Sequence, residues 1–289
     1  CSNILASRYS VGAGWSTPIP IETTTCDALE PRIAVSPDGD AIAVWYQVSA
    51  SGTDIWANRY VAGAGWGAAE RIENGAGNAR VPQVAIDRNG NALALWEQSD
   101  GARSSIWANR YVVGSGWEAA RLVESSDAGD AQSVQLAADA VGNAVAVWQQ
   151  SDGTRQRIWA NLYRAGGDWG TASVVGGNDP GDASRPHIAI RNGSGFVVWE
   201  QSDGARTAIL ARRYSAGSFS NGIGALTVLS ADFTAPAHFP QIAVDSNGNA
   251  IAVWSQRNAF PLPSPNAAYS VTASRFIPGS GWGQAASIE

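Results

Sequence analysis

The chain has 289 residues, 45% of them hydrophobic and 15% charged, a balance that supports a substantial core and opposes disorder. Its net charge of −6 comes without any basic run, which argues against a nucleic-acid partner, and all 19 basic residues are arginine. No stretch approaches the roughly 18 uninterrupted apolar residues of a membrane helix.

The chain opens Cys1-Ser2-Asn3 and contains no methionine. Cys1 at a mature N-terminus resembles the lipid-bearing cysteine of a bacterial lipoprotein, which implies an anchor at that sulfur. The only other cysteine is Cys26, so a Cys1–Cys26 disulfide is the competing reading. Acylation would block the bridge, yet both readings place the chain outside the cytoplasm: secreted, periplasmic, or membrane-attached as a lipoprotein.

From there the sequence repeats about every fifty residues. An apolar run ends at Trp45, Trp96, Trp148, Trp199 and Trp254. A second run, Ile55-Trp56-Ala57-Asn58-Arg59-Tyr60, has counterparts ending at Tyr9, Tyr111, Tyr163, Tyr214 and Phe276. A third opens with Trp15, Trp66, Trp117, Trp169 and Trp282, with Phe219 substituting in one copy. In the second full unit, Pro82 to Ile86 predicts strand A, Asn91 to Gln98 strand B, Ile106 to Tyr111 strand C and Glu118 to Val123 strand D. Asn89-Gly90 between A and B is a strong hairpin signal, because both residues tolerate positive φ.

Four short antiparallel strands per period describe a blade, so the expected fold is an all-β β-propeller forming a single domain. The units run approximately 1–30, 31–81, 82–133, 134–185, 186–239 and 240–289. Residues 1–25 carry a C–D pair with no A–B pair before it. Six blade positions with one incomplete is therefore the favoured count, and five blades the alternative.

The tryptophans fall in three registers, as blade-to-blade packing requires. The glutamines two residues after each strand-B tryptophan (Gln47, Gln98, Gln150, Gln201 and Gln256) read as structural hydrogen-bonding positions. The Asp-x-Asn-Gly-Asn turns lack the ligand count of a calcium loop and read as turn chemistry. Three B–C loops repeat almost verbatim and place Asp100 and Arg103, Asp152 and Arg155, and Asp203 and Arg206 on one face. With Asp127, Asp130, Asp179 and Asp182 of the D–A loops, they are candidates for binding sugar hydroxyls or a protein; the plainer reading is solvated turns. The second residue of each strand A (Arg32, Gln83, Gln135, His187 or Gln241) is expected to line a central channel, a second candidate site.

The order of signals resembles the sialidase-like (BNR) propeller repeat: Arg80-Val81-Pro82 looks like its first element, and Gly63-Ala64-Gly65-Trp66 stands where its Asp-box would. A looser similarity is to fucose-binding propeller lectins. A sialidase resemblance implies an arginine triad with Tyr, Glu and Asp in one pocket, and Arg80 could supply one arginine. However, Arg32, Arg80 and Arg185 each lie within two residues of a proline opening a strand A. Glu97 and Glu200 follow strand-B tryptophans in non-adjacent units. Neither set makes a catalytic constellation. The expectation is therefore a non-enzymatic module that binds a protein or glycan, with no catalytic residue, metal or cofactor assigned. The alternatives are a sialidase-like glycoside hydrolase or a structural subunit of a larger surface or periplasmic assembly.

Overall fold

The computed structural model describes residues 1–23, 26–75, 77–177, 181–215, 218–219, 226–230, 235–257 and 269–289. Every regular element among them is a β-strand, and none is a helix long and apolar enough to cross a membrane. The chain divides into two compact units, Cys1–Val123 and Glu124–Glu289.

Five long antiparallel sheets follow the repeat, each with its strands hydrogen-bonded in the order A, B, C, D. Their A and B strands are Ala28–Val35 with Ala41–Ser49, Asn78–Ile86 with Ala92–Ser99, and Ala131–Ala138 with Ala144–Ser151. The last two pairs are Ala183–Arg191 with Ser194–Ser202, and Ala237–Val244 with Ala250–Arg257. The first two sheets lie in the first unit and the other three in the second. The fold class expected from the repeat, an all-β propeller of four-stranded blades, is the one observed. Residues 1–20 form two short ladders, Leu5–Ala6 with Ile19–Pro20 and Tyr9–Ser10 with Gly14–Trp15.

Strand D is not the continuous strand expected over Glu118 to Val123. It touches strand C in two short pieces, Gly116–Trp117 and Arg121–Leu122. A strand-C side chain takes up hydrogen bonding beside the same gap in other blades: Asn58 Nδ2 donates to Gly67 O (3.1 Å) and Asn161 Nδ2 to Gly170 O (2.9 Å).

The apolar clusters lie between successive sheets. In the first unit Ile42, Val44, Ile55 and Ala57 meet Ala79, Ala92, Ala94 and Trp96. In the second, Val147 and Ile158 meet Ile188 and Trp199, while Phe196 and Val198 meet Ile242 and Trp254. All five strand-B tryptophans are fully buried. Each satisfies its indole N–H on the glutamine two residues on: Trp45 on Gln47 (3.2 Å), Trp96 on Gln98 (2.8 Å), Trp148 on Gln150 (2.8 Å), Trp199 on Gln201 (3.2 Å) and Trp254 on Gln256 (3.0 Å). The glutamine amide then holds the D–A connection, as where Gln150 Nε2 donates to Ser126 O at 2.7 Å. A buried indole thus stays hydrogen-bonded inside an apolar wedge.

The strand-D aromatics do something else. Each packs against the aromatic ending strand C, with ring centroids 5.5 Å apart for Tyr60–Trp66 and 5.6 Å for Tyr111–Trp117. Tyr214–Phe219 repeats the contact at 5.5 Å, so Phe219 does replace the missing indole.

The A–B turns are built as read. Asp87 Oδ1 accepts the N–H groups of Asn89 (2.8 Å) and Asn91 (2.9 Å), and Gly90 takes φ 81°. Asp139 and Asp245 repeat the arrangement.

Candidate active site

Strand A contains the feature that builds the site. In each long sheet its ladder to strand B slips at one place, where two residues face a single tryptophan. In the fourth sheet Ser184 pairs with Glu200 and His187 with Val198, leaving Arg185 and Pro186 opposite Trp199. The first residue of every bulge has positive φ without being glycine: Glu30 (52°), Val81 (55°), Ser133 (57°), Arg185 (50°) and Phe239 (57°). Four of the five are followed by proline, which has no N–H for the ladder and is therefore at home in a bulge. Such a backbone costs roughly 1–3 kcal/mol and re-aims the side chains around it, as bulges beside active sites do.

Between the fourth and fifth sheets, both in the second unit, this geometry gathers chemically capable groups. Glu200, the residue after Trp199, has a side chain only 3% exposed. Its Oε2 accepts from Arg185 Nη1 at 2.9 Å and lies 3.2 Å from His238 Nδ1. Its Oε1 accepts the main-chain N–H of Phe239 at 2.8 Å. One carboxylate thus ties its own sheet to the bulge of the next. The Arg185 guanidinium also lies over the Phe239 ring, 4.8 Å from its centroid. Tyr269, which opens strand C of the fifth sheet, stands 6.5 Å ring to ring from His238. In the first unit the corresponding positions make a simpler link, with Arg80 over the Tyr46 ring at 5.7 Å.

The cluster has a definite chemical capacity. With Nδ1 directed at Glu200, the His238 ring is held in one orientation, and Nε2 is the nitrogen left to exchange a proton. Arg185, half-exposed, adds a fixed cation beside it.

The candidates read from the sequence lie elsewhere. Asp100, Asp152 and Asp203 close their own loops: Asp100 Oδ1 accepts from the N–H groups of Ala102 and Arg103, both at 2.8 Å, and Asp203 does the same with Ala205 and Arg206. These backbone donors hold the Asp100 and Asp203 carboxyls below the usual range. For Asp152 the Thr154 hydroxyl is the larger cause and Arg157 the next. The partner of Asp152 across the loop is Arg157 Nε at 2.9 Å, a residue the repeat does not single out. In the D–A connections Asp182 Oδ1 accepts the Gln156 N–H, while Asp179 lies outside the described residues.

In the proposed channel ring, Arg32 and Gln241 are exposed and Gln83, Gln135 and His187 partly buried. His187 Nδ1 accepts the Ile242 N–H of the next sheet at 3.3 Å, and burial lowers its pKa. Cys1 and Cys26 are exposed free thiols, so the alternative disulfide is not formed in this structure; the Cys1 ammonium lies 4.0 Å from Asp27 instead. A cavity of about 740 Å³ in the first unit, lined by Leu5, Tyr9, Ile19, Ile33, Tyr60 and Trp66, has only Arg8 and Arg32 as charged residues and is lined by no carboxylate or histidine.

Glu200 and Arg185 escaped the sequence reading because each was explained by its neighbour, the tryptophan or the proline, and His238 was not singled out. A signal was present nonetheless. Around constant Trp and Gln, the residue after the tryptophan varies as Tyr46, Glu97, Gln149, Glu200 and Ser255. The last residue in register and the first bulge residue vary as Leu29-Glu30, Arg80-Val81, Gln132-Ser133, Ser184-Arg185 and His238-Phe239. Arg257 and Tyr269, which end the last B strand and open the last C strand, are also further apart in sequence than Ser99 and Ser104, Ser151 and Gln156, or Ser202 and Thr207. The repeats are not uniform where it matters.

No family model matches the chain, and no curated protein sequence matches it. Solved structures do share the fold. The chain is similar to a Penicillium chrysogenum alpha-L-arabinanase complexed with arabinobiose: TM-score 0.52, 13% identity, covering 96% of this chain and 93% of that one. It is similar to a PL25 polysaccharide lyase, an ulvan lyase: TM-score 0.56, 8% identity, 83% of this chain and 64% of the lyase. A protein of unknown function from Dyadobacter fermentans DSM 18053 aligns at TM-score 0.52 and 13% identity, covering 94% and 83%. The likeness is to propeller folds in general, and the sialidase Asp-box is absent from the C–D turns. The expectation of a non-enzymatic binding module is thereby corrected: the neighbours of known activity are enzymes acting on polysaccharides, and the argument from uniform repeats fails at Glu200 and His238.

Proposed function

We propose that this chain is a carbohydrate-active propeller enzyme that cleaves a polysaccharide by proton transfer at the Glu200–His238 pair. The observation that carries the reading is a buried carboxylate holding one imidazole nitrogen and one guanidinium between two adjacent sheets. Hydrolysis by paired carboxylates needs two acids flanking the bond, one as proton donor and one as base or nucleophile. Glu200 is instead engaged by three donors and serves to orient His238. An imidazole base beside a fixed cation suits elimination from an acidic sugar. Arg185 would face the sugar carboxylate, His238 Nε2 would take the proton from the adjacent carbon, and the linkage oxygen would leave from the next carbon as a double bond forms between the two. Tyr269, exposed and beside His238, would return a proton to that oxygen.

On this reading the glycan expected as a partner is the substrate. A polymeric substrate supports the location outside the cytoplasm expected from Cys1. The sialidase-like layout then describes the blade and not the substrate.

The test is a screen of uronate-containing polysaccharides for the ultraviolet absorbance of an unsaturated sugar end, beside reducing-end release from neutral arabinan. Expected is absorbance growth that His238→Ala and Glu200→Gln abolish. Reducing ends released without that absorbance would reject elimination, and silence on every polymer would reject the enzyme reading.

A further inference from the structure

Phe239 presents a combination that folding does not explain. It is a bulky residue at φ 57°, yet its side chain is 62% exposed. All five bulges carry this strain, but only here does the strained position hold an aromatic ring, and that ring stands in water. The equivalent positions hold Glu30, Val81, Ser133 and Arg185, so the bulge itself does not ask for an aromatic. Only four aromatic side chains among the described residues are classed with the exposed large apolar groups: Tyr9, Trp15, Phe239 and Tyr269. Two of these four flank His238, at ring-to-ring distances of 6.1 Å for Phe239 and 6.5 Å for Tyr269.

The ring is also fixed in place. Its main-chain N–H is held by Glu200, and Arg185 lies over the ring at 4.8 Å. With a guanidinium over it and much of its surface exposed, the ring is held in place, and an immobilised ring loses little entropy when something stacks on it. The partner that suits a flat, rigid, exposed ring beside polar groups is the C–H face of a pyranose, whose hydroxyls stay directed outward.

We propose that Phe239 is a sugar-stacking platform that seats one pyranose ring of the polysaccharide, with Tyr269 bounding the same site across His238. The inference rests on the preceding reading for its ligand class, but it concerns binding and not bond cleavage.

Affinity electrophoresis of the full chain through gels containing alginate, polygalacturonate or arabinan tests it, in a His238→Ala background that stops turnover. Phe239→Asn removes the ring while suiting the left-handed backbone, so its melting temperature should not fall. Expected is retardation by at least one polymer, weakened roughly tenfold by Phe239→Asn and restored by Phe239→Trp. Undiminished retardation of a folded Phe239→Asn protein would overturn the platform while leaving the cleavage reading intact. Ring-dependent retardation without cleavage by the wild-type chain would uphold the platform and overturn the reading. Absence of retardation by every polymer would overturn the platform.

Discussion

His238 Nδ1 lies 3.2 Å from Glu200 Oε2 although the two residues are 38 positions apart and belong to different sheets. Glu200 also carries the Arg185 guanidinium and the Phe239 N–H, so one side chain organises the whole cluster. Glu200→Ala is expected to cost about 1–3 kcal/mol, since it leaves the Phe239 N–H without its acceptor while half-exposed Arg185 can turn to water. Glu200→Gln should cost less in stability yet lower turnover by at least about a hundredfold, because an amide cannot support an imidazolium. Urea midpoints and initial rates on the two variants separate these effects.

Asp152 supplies the contrast. Its carboxylate is held below the usual range by the Thr154 hydroxyl and Arg157, which stabilises the fold above the unfolded-state value near 3.9 and is lost as pH falls through the lower folded value. The loop is exposed, so Asp152→Asn should change stability at neutral pH by less than about 1 kcal/mol. It should leave turnover unchanged, because Asn closes the same kind of turn. A large loss of activity in this variant would return the repeated loops to the site.

His187 predicts a pH dependence of the same sense in a higher pH window. Burial lowers its pKa, and its Nδ1 accepts the Ile242 N–H, so the folded state keeps the ring neutral. Above about pH 6.5 neither state binds the proton and the residue contributes nothing. As pH falls below that value the unfolded chain takes up a proton the folded chain refuses, and stability declines until the lowered folded pKa is reached. His187→Gln installs the residue found at the same register as Gln83, Gln135 and Gln241. Unfolding free energies from pH 7 downward should fall less steeply in this variant than in wild type.

Gln150 should matter more than any exposed loop. It is fully buried, accepts the Trp148 indole N–H at 2.8 Å, and donates to Ser126 O and Gly129 O. Gln150→Ala leaves that indole and those carbonyls unpaired inside the molecule, and a loss of about 3 kcal/mol or more is expected. Denaturant titration checks it, and a loss below about 1 kcal/mol would show that water replaces the amide.

What the sequence by itself determined is whatever depends on near neighbours. Alternating apolar runs, Asn-Gly turns and a fifty-residue recurrence of Trp and Gln specify strands and their order within a blade, since strand period and turn conformation are local properties. Even Phe219 for Trp could be read, because its partner Tyr214 is only a turn away. The tertiary structure alone decided the site. Val81-Pro82 and Arg185-Pro186 look like strand beginnings, yet they are bulges inside longer strands, because the ladder resumes on the far side of the tryptophan. Whether Glu200 is a spare carboxylate or the centre of a cluster depends on which residue the next blade's bulge presents to it. That is set by packing between sheets, a contact no local periodicity encodes.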